Sequence, residues 1–362
     1  MVSTATNIKV SRDEKRWEVD VTAELPAEAL MKYREEALKE IQRDAKLDGF
    51  RPGKAPIERI IQIYGEPTIL RHAAEHAIQH ELPEILAAEN VPIVEAPKVT
   101  IDPPESGKPL KFSAKAPLAP EIKLADYKKI AADNPKKEDV IVSDEEHGQA
   151  LMHIRRERAR IDRIEQGLDA QKAAEEVKAL ADADLPALDD QFVQSIGYEN
   201  AGKFYEVLRE NIKNEKELQE IQKRRAAILD KLIKDSTVRY PVVLLDYELD
   251  DMEARLKTDL QQMGQSLESF LAQQKKTFED IRGTWRDAAD KRAKTRLILS
   301  EIARQEKIEV KKEDLEHELA HAKQHYPDAE PEILRTHIAH AMRNEMTLRS
   351  LTGEPAPAPH SH

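Results

Sequence analysis

The spacing of apolar residues changes character along the chain. At the start, Ile8 and Val10, then Trp17, Val19 and Val21, stand in two short stretches joined by the charged Ser11–Arg16. Glu18 and Asp20 fall between the apolar positions, the period of two expected of a half-buried strand. Pro26 opens a helical run whose stripe is Leu30, Ala37, Ile41 and Ala45, with Tyr33 beside it. A Gly/Pro-marked loop occupies 49–56. Helical spacing resumes at Ile57, breaks near Gly65–Pro67 and continues to about Asn90. Val91–Ile101 and Leu110–Leu118 read as strands, separated by Pro103-Pro104 and Gly107. The order ββααββ predicts a small α+β domain with an antiparallel sheet over 1–124.

Beyond it, Pro120, Asn134-Pro135 and Lys136-Lys137 mark a connecting segment, which gives a linker at 125–142. Ser143 followed by Glu146 is a capping-box signal, each side chain able to satisfy a free amide at a helix start. From there the pattern is almost wholly helical and predicts an extended all-α domain over 143–352, hence an elongated multi-domain molecule. Val242, Leu245, Leu249, Met252, Leu256, Leu260 and Met263 recur at steps of three and four after Pro241. Leu334, Ile338, Met342 and Met346 recur at four. Glu215 and Arg225 fall where an apolar residue is expected. Gly353–His362 holds three prolines and reads as a disordered tail. The simpler use of such stripes is helix–helix packing. The sharper one leaves part of a stripe open to a partner's apolar surface, and Met252, Met263, Met342 and Met346 are the candidates, because a flexible thioether repacks around many shapes.

Composition narrows the classes. The net charge is −12, and 35 % of residues are charged, against about 25 % in an ordinary domain. Eleven glycines in 362 residues and 4 % aromatics favour long charged helices over a thick core. They disfavour an all-β sandwich and a Gly-rich nucleotide-binding enzyme. The absence of cysteine removes thiol catalysis, disulfides and Cys-based zinc sites. Met1–Asp20 holds no apolar stretch of signal-peptide length and no run reaches about 18 apolar residues, so a cytoplasmic protein with no membrane association is expected. The acidic balance argues against general nucleic-acid binding, leaving any RNA contact local.

One local patch runs against that balance: Gly49-Phe50-Arg51-Pro52-Gly53-Lys54-Ala55-Pro56, with no acid between Gly49 and Ile57. Pro52-Gly53 suits the centre of a type II turn. Gly49 is placed to stop one helix and Pro56 to begin the next. The turn would project Arg51 and Lys54 outward with Phe50 beside them: a fork for phosphate or carboxylate, a point charge, and a ring that can stack or fill a pocket.

This octapeptide resembles the ribosome-binding signature of the bacterial trigger factor family, chaperones that meet nascent chains at the ribosomal exit tunnel. Ile57–Asn90, with Ile63-Tyr64-Gly65, is similar to the helices that come after the signature, and the flanking β stretches match the family's amino-terminal domain. Phe192–Ser350, including Val238-Arg239-Tyr240-Pro241, looks like the helical substrate-binding domain. Pro52 stands where some relatives carry Lys, which removes one charge from the tip. The resemblance implies an ATP-independent chaperone without a cofactor. It docks on the large ribosomal subunit, on a protein and ribosomal RNA at the tunnel exit, through Gly49, Phe50, Arg51, Pro52, Gly53, Lys54 and Pro56. It holds nascent and unfolded polypeptides and can form a homodimer off the ribosome. The family usually inserts a peptidyl-prolyl isomerase domain of the FK506-binding type, β-rich with an aromatic-lined pocket, within the helical part. Between Tyr127 and Phe192 this chain has no aromatic residue, and Arg155–Leu188 is rich in Ala, Glu, Arg and Lys. A short form without the isomerase domain, and so not an enzyme, is expected.

Two alternatives come from other classes. His317-Glu318-Leu319-Ala320-His321 fits the H-E-x-x-H pattern of a zinc metallopeptidase, with two imidazoles as ligands and Glu318 as base. His325 continues the row, but at about 1.5 Å per residue it lies about 12 Å from His317, too far to share one metal. His72, His76 and His80 repeat the spacing with no catalytic context, so a solvated helical face is preferred. The other alternative is a helical scaffold that binds no client.

Overall fold

The computed structural model describes residues 3–45, 47, 50–51, 53–134, 140–327 and 329–355. In chain order these form β1 (Thr6–Asp13), β2 (Glu18–Leu25), α1 (Ala27–Asp44), α2 (Ile57–Tyr64), α3 (Glu66–Ala88), β3 (Lys98–Ile101), β4 (Leu110–Pro117), β5 (Glu121–Lys123), α4 (Tyr127–Ala132), α5 (Asp144–Glu165), α6 (Ala170–Ala179), a 3-10 turn at Asp182–Asp184, α7 (Asp190–Ser195), α8 (Ala201–Asp235), β6 (Thr237–Arg239), α9 (Val242–Gln262), α10 (Leu267–Gln274), α11 (Phe278–Glu306), α12 (Lys312–His325) and α13 (Pro331–Thr352). The α+β start and helical remainder are as the sequence pattern predicts. Among the described residues no helix is long and apolar enough to cross a membrane.

Compactness cuts across sequence order. Met1–Ala125 and Ile233–Lys307 form one unit, Asp126–Leu232 and Ile308–His362 another, so the helical stretch from 143 onward contributes to both. In the first unit, the head is a four-stranded antiparallel sheet in the order β1-β2-β4-β3. Val19, Val21, Ala23 and Leu25 of β2 alternate with polar neighbours, and Leu110, Phe112, Ala114 and Ala116 of β4 do the same. The period of two puts both sets on one face. Ile78, Leu82, Ile85 and Leu86 of α3 cover it. Ala73, Ala74 and Ala77 give α3 a flat strip on which Leu30 and Ala37 of α1 are buried. The strand expected over Val91–Ile101 shrinks to β3, with one isolated bridge from Ile93 to Leu118. Pro92 and Pro97 have no amide to donate to a ladder, which shortens it.

One carboxylate ties the start of the chain to this core. Glu81 of α3 is 4 % exposed. It accepts from the Ser3 hydroxyl (2.6 Å), the Thr4 amide (2.7 Å), the Thr4 hydroxyl (2.5 Å) and the Tyr33 hydroxyl (3.1 Å). Burial alone would raise its pKa, but these donors outweigh burial and hold it below the ordinary value. Tyr33 is pushed up to about 12, by burial first and then by the Glu81 charge.

The remainder of the first unit is an arm in which α9 packs along α11. Ala289 and Ala293 of α11 are buried, as are Leu249 and Leu260 of α9. Within the seam Glu248, also buried, pairs with Arg292 Nε and Arg296 Nε, each at 3.1 Å. β6, read from the sequence as helix, is a three-residue strand antiparallel to β5. Three residues are too few for a period to register.

In the second unit Ser143 and Glu146 form the expected capping box at the start of α5. Arg155 donates to the carbonyls of Leu185 (2.5 Å) and Pro186 (3.0 Å), Arg156 to Val177 O (3.2 Å), and Arg158 to Ala187 O. Arg225, out of place in an apolar stripe, lies between Glu345 (2.8 Å) and Glu354 (2.5 Å). That contact reaches the first residues after α13. Gly353 ends α13 at φ +63°, the Glu354 amide donates to Arg349 O at 3.0 Å, and the Glu354 carboxylate is held by Arg225. Residues 356–362 lie outside the described residues.

Glu81→Ala should destabilise the protein by about 1.5–3 kcal/mol in urea unfolding, the range for hydrogen bonds to a charged group. The Glu81 pKa is lower folded than unfolded, so its contribution is present above the unfolded value and fades as pH falls through the folded one. The gap between wild type and variant should therefore narrow in acid. A gap that stays constant with pH would contradict the carboxylate's role.

Candidate functional site

The loop between α1 and α2 has an anchored base and an open tip. The Ala45 amide ends α1 by donating to Ile41 O at 2.8 Å. Ala45 and Ala55 are buried with Leu38, Ile60 and Ile69, which draws the two ends of the loop together. Gln42 Nε2 donates to Ala55 O at 2.6 Å across the base. Pro56 caps α2, its carbonyl accepting from Arg59 N and Ile60 N at 3.0 and 3.2 Å. A proline there is tolerated because the amide it lacks would have no helical partner.

At the tip, Phe50 N donates to Leu47 O (3.1 Å) and Lys54 N to Arg51 O (3.0 Å). The second bond closes a four-residue turn in which Gly53 is the third residue at φ +77°, as a type II turn requires. Gly49 and Pro52, both candidate site residues, lie outside the described residues. Phe50 is 41 % exposed, and Arg51 and Lys54 are exposed. Among the described residues neither cation is engaged in an ion pair. The tip therefore brings together an exposed ring, a guanidinium and an ammonium on a short, well-anchored turn.

The apolar surface of the helix beyond the tip was not anticipated from the sequence. α2 buries only Ile60 and leaves Ile57, Ile63 and Tyr64 exposed. The signal was present: apolar residues in Ile57–Tyr64 occupy more than one face of an eight-residue helix.

The other candidates are dispersed. Met263 protrudes at the end of α9, 72 % exposed, whereas Met252, Met342 and Met346 are half-buried. Val242, Leu245, Leu256, Leu334 and Ile338 are likewise only half-buried. His317 and His321 lie on α12, with His317 Nδ1 3.9 Å from Glu318. Among the described residues no three His, Asp or Glu side chains gather as a metal site. His76 and His80 instead join Tyr33 in a ring cluster between α1 and α3, at centroid distances of 4.9–6.1 Å. Between α4 and β6 the described residues form helices and turns with no strand.

Comparison with known proteins bears on this arrangement directly. A family model described as "Bacterial trigger factor protein (TF)" matches residues 6–154, and one described as "Bacterial trigger factor protein (TF) C-terminus" matches residues 202–350. The chain belongs to the trigger factor family. Similar curated proteins are the trigger factor of Bacillus pumilus (strain SAFR-032), 24 % identical over 83 % of this chain and 87 % of that protein, and the trigger factor of Thermobifida fusca (strain YX), 25 % identical over 82 % and 78 %. That of Clostridium botulinum (strain Hall) is 24 % identical over 96 % of this chain and 97 % of that one. This last alignment runs to 429 positions, more than the 362 residues here, so the relative carries residues with no counterpart in this chain. A solved structure titled "Promiscuous Substrate Recognition in Folding and Assembly Activities of the Trigger Factor Chaperone" has a similar fold. Its TM-score is 0.52 at 14 % identity, over 96 % of this chain and 100 % of that one. The protein is a chaperone of this family. The helical segment 155–201 lies between the two matched regions.

Gly53→Ala should cost about 1–2 kcal/mol, since an L side chain at positive φ brings its Cβ against the following carbonyl. Space is not the obstacle: a Cβ there meets only the Arg43 Cα, at 3.8 Å. Urea unfolding measures the loss. An unchanged midpoint would mean that the turn relaxes freely.

Proposed function

We propose that the loop tip docks this chaperone on the large ribosomal subunit, at a protein and ribosomal RNA beside the tunnel exit. There it holds nascent and unfolded polypeptides without ATP, in the cytoplasm. In this reading 1–124 is the docking domain, 125–142 the linker, and 143–352 the client-holding region, with 353–362 as the tail. The observation that carries it is the exposed Phe50, Arg51 and Lys54 on an anchored turn, in a chain whose net charge is −12. Few residues must then supply most of the docking energy, as at other interface hot spots. The half-buried stripes of α9 and α13 and the exposed Met263 support weak, distributed client contacts. Self-association off the ribosome belongs to the same reading.

Replacing Phe50, Arg51 and Lys54 with Ala should abolish co-sedimentation with ribosomes and leave the circular dichroism spectrum unchanged. Losing one arginine from a desolvated charge-assisted contact costs about 2–5 kcal/mol. At about 1.4 kcal/mol per decade, that is roughly a thirty- to several-thousand-fold loss. Added salt should weaken the wild-type contact as well. A folded triple variant that still binds at wild-type affinity would refute the docking assignment.

We also propose that the chain does not catalyse proline isomerisation. The warrant is the helical, aromatic-free interval between Tyr127 and Phe192. Proline-limited refolding of a model substrate should run at its spontaneous rate, tens to hundreds of seconds at 25 °C. Catalytic acceleration by substoichiometric protein would overturn this.

A further inference from the structure

The arm meets the head at one narrow seam. β6 runs directly into α9, and the Tyr240 hydroxyl between them donates to Asp290 of α11 at 2.5 Å. The ladder β5–β6 and the arm are thereby fixed to each other. The head presents to this body mainly the turn between β1 and β2. In that turn Trp17, at φ +55° and 8 % exposed, donates its Nε1 to Ala119 O at 2.8 Å, just before β5. Its own carbonyl accepts from Leu118 N at 3.0 Å. Arg16 O accepts the otherwise unpaired first amide of α9, Val242 N, at 3.3 Å.

Across this seam stands Arg239, the last residue of β6. Its guanidinium lies over the Trp17 ring at 5.5 Å from the centroid. The same group is 3.4 Å from Glu14 in the turn and 3.8 Å from Glu121 of β5. One further tie is exposed: the Tyr247 hydroxyl of α9 donates to Glu95 of the head. We infer that Arg239 is a positioning residue: stacked on Trp17 and paired with Glu14, it sets the angle at which the arm leaves the head, and hence how the arm stands to the docking loop. Cation–π attraction to a tryptophan face is retained in water, because the ring needs little desolvation. The ion pairs are solvent-accessible on both sides and are screened by salt. The seam therefore has a directional part that persists and an ionic part that loosens as ionic strength rises. It belongs to the head and arm alone and does not depend on where the loop docks.

The test exploits a chain without cysteine. Glu58→Cys on α2 and Gln262→Cys at the end of α9, both at exposed positions, take spin labels whose separation reports the angle. Pulsed electron spin resonance on the full chain should give one narrow distance distribution at low salt. Arg239→Ala should at least double its width or shift its mean, and Arg239→Lys, which keeps a cation over the ring, should restore most of the wild-type profile. If Arg239→Ala matches wild type, the three-residue ladder alone fixes the arm and the inference is wrong. If Arg239→Lys is as broad as Arg239→Ala, charge over the ring is not the agent and the inference also fails. Should Arg239→Ala not fold by circular dichroism, Glu14→Gln with Glu121→Gln decides. These substitutions leave the stack and remove its acids, so the distribution should broaden modestly and lose its response to salt. A salt response equal to wild type would overturn the ionic part.

Discussion

Three backbone pairs, Glu121 with Arg239, Ile122 with Val238 and Lys123 with Thr237, bring the arm that follows β6 to the head. They join segments more than a hundred residues apart, and closing such a loop has an entropic cost that a three-residue ladder cannot offset alone. The ladder holds because side chains grip the end where Glu121 faces Arg239: Trp17 and Glu14 from the head meet Arg239, and Asp290 of α11 holds the adjacent Tyr240. With that closure the arm belongs to the head's unit. Without it, residues 233–307 would be tied to the head only by isolated contacts such as Val242 N to Arg16 O and Tyr247 to Glu95.

The head itself shows how a core is made with few aromatics. Alanines along α3 and on β4 let helix and sheet approach closely, so burial is gained by proximity rather than by large rings. The helical parts also bury alanines, Ala289 and Ala293 in the arm, but charged residues interrupt their stripes. They add ionic contacts that are buried on one side, Glu248 with Arg292 and Arg296 in the arm, and Arg225 with Glu345 and Glu354 in the second unit. Such contacts add modestly to stability but are costly to break on one side only. They fix register in places where apolar packing would tolerate slippage.

The strands and helices of the head were legible because their periods are clean: β2 and β4 alternate without exception, and Pro26, Pro56 and Gly65 stand at helix boundaries. The loop was legible because its turn chemistry is local. What escaped depends on distant partners. β6 exists only because β5 lies opposite it. Arg225 looks like a fault in a stripe until Glu354 is seen beside it. The exposed face of α2 escaped because helical spacing alone does not tell which apolar positions of an eight-residue helix find a core, and only Ile60 does.

Met263 has a consequence in oxidation chemistry. It is the most exposed of the described methionines and stands at the end of an arm in a chain that has no thiol to intercept an oxidant. Among the described methionines, peroxide would reach this thioether first. Conversion to the sulfoxide replaces a soft, adaptable apolar tip with a polar one, and methionine sulfoxide reductases can reverse it. The end of the arm thus carries a chemically reversible change of polarity at a place apart from the sheet, the seam and the loop between α1 and α2.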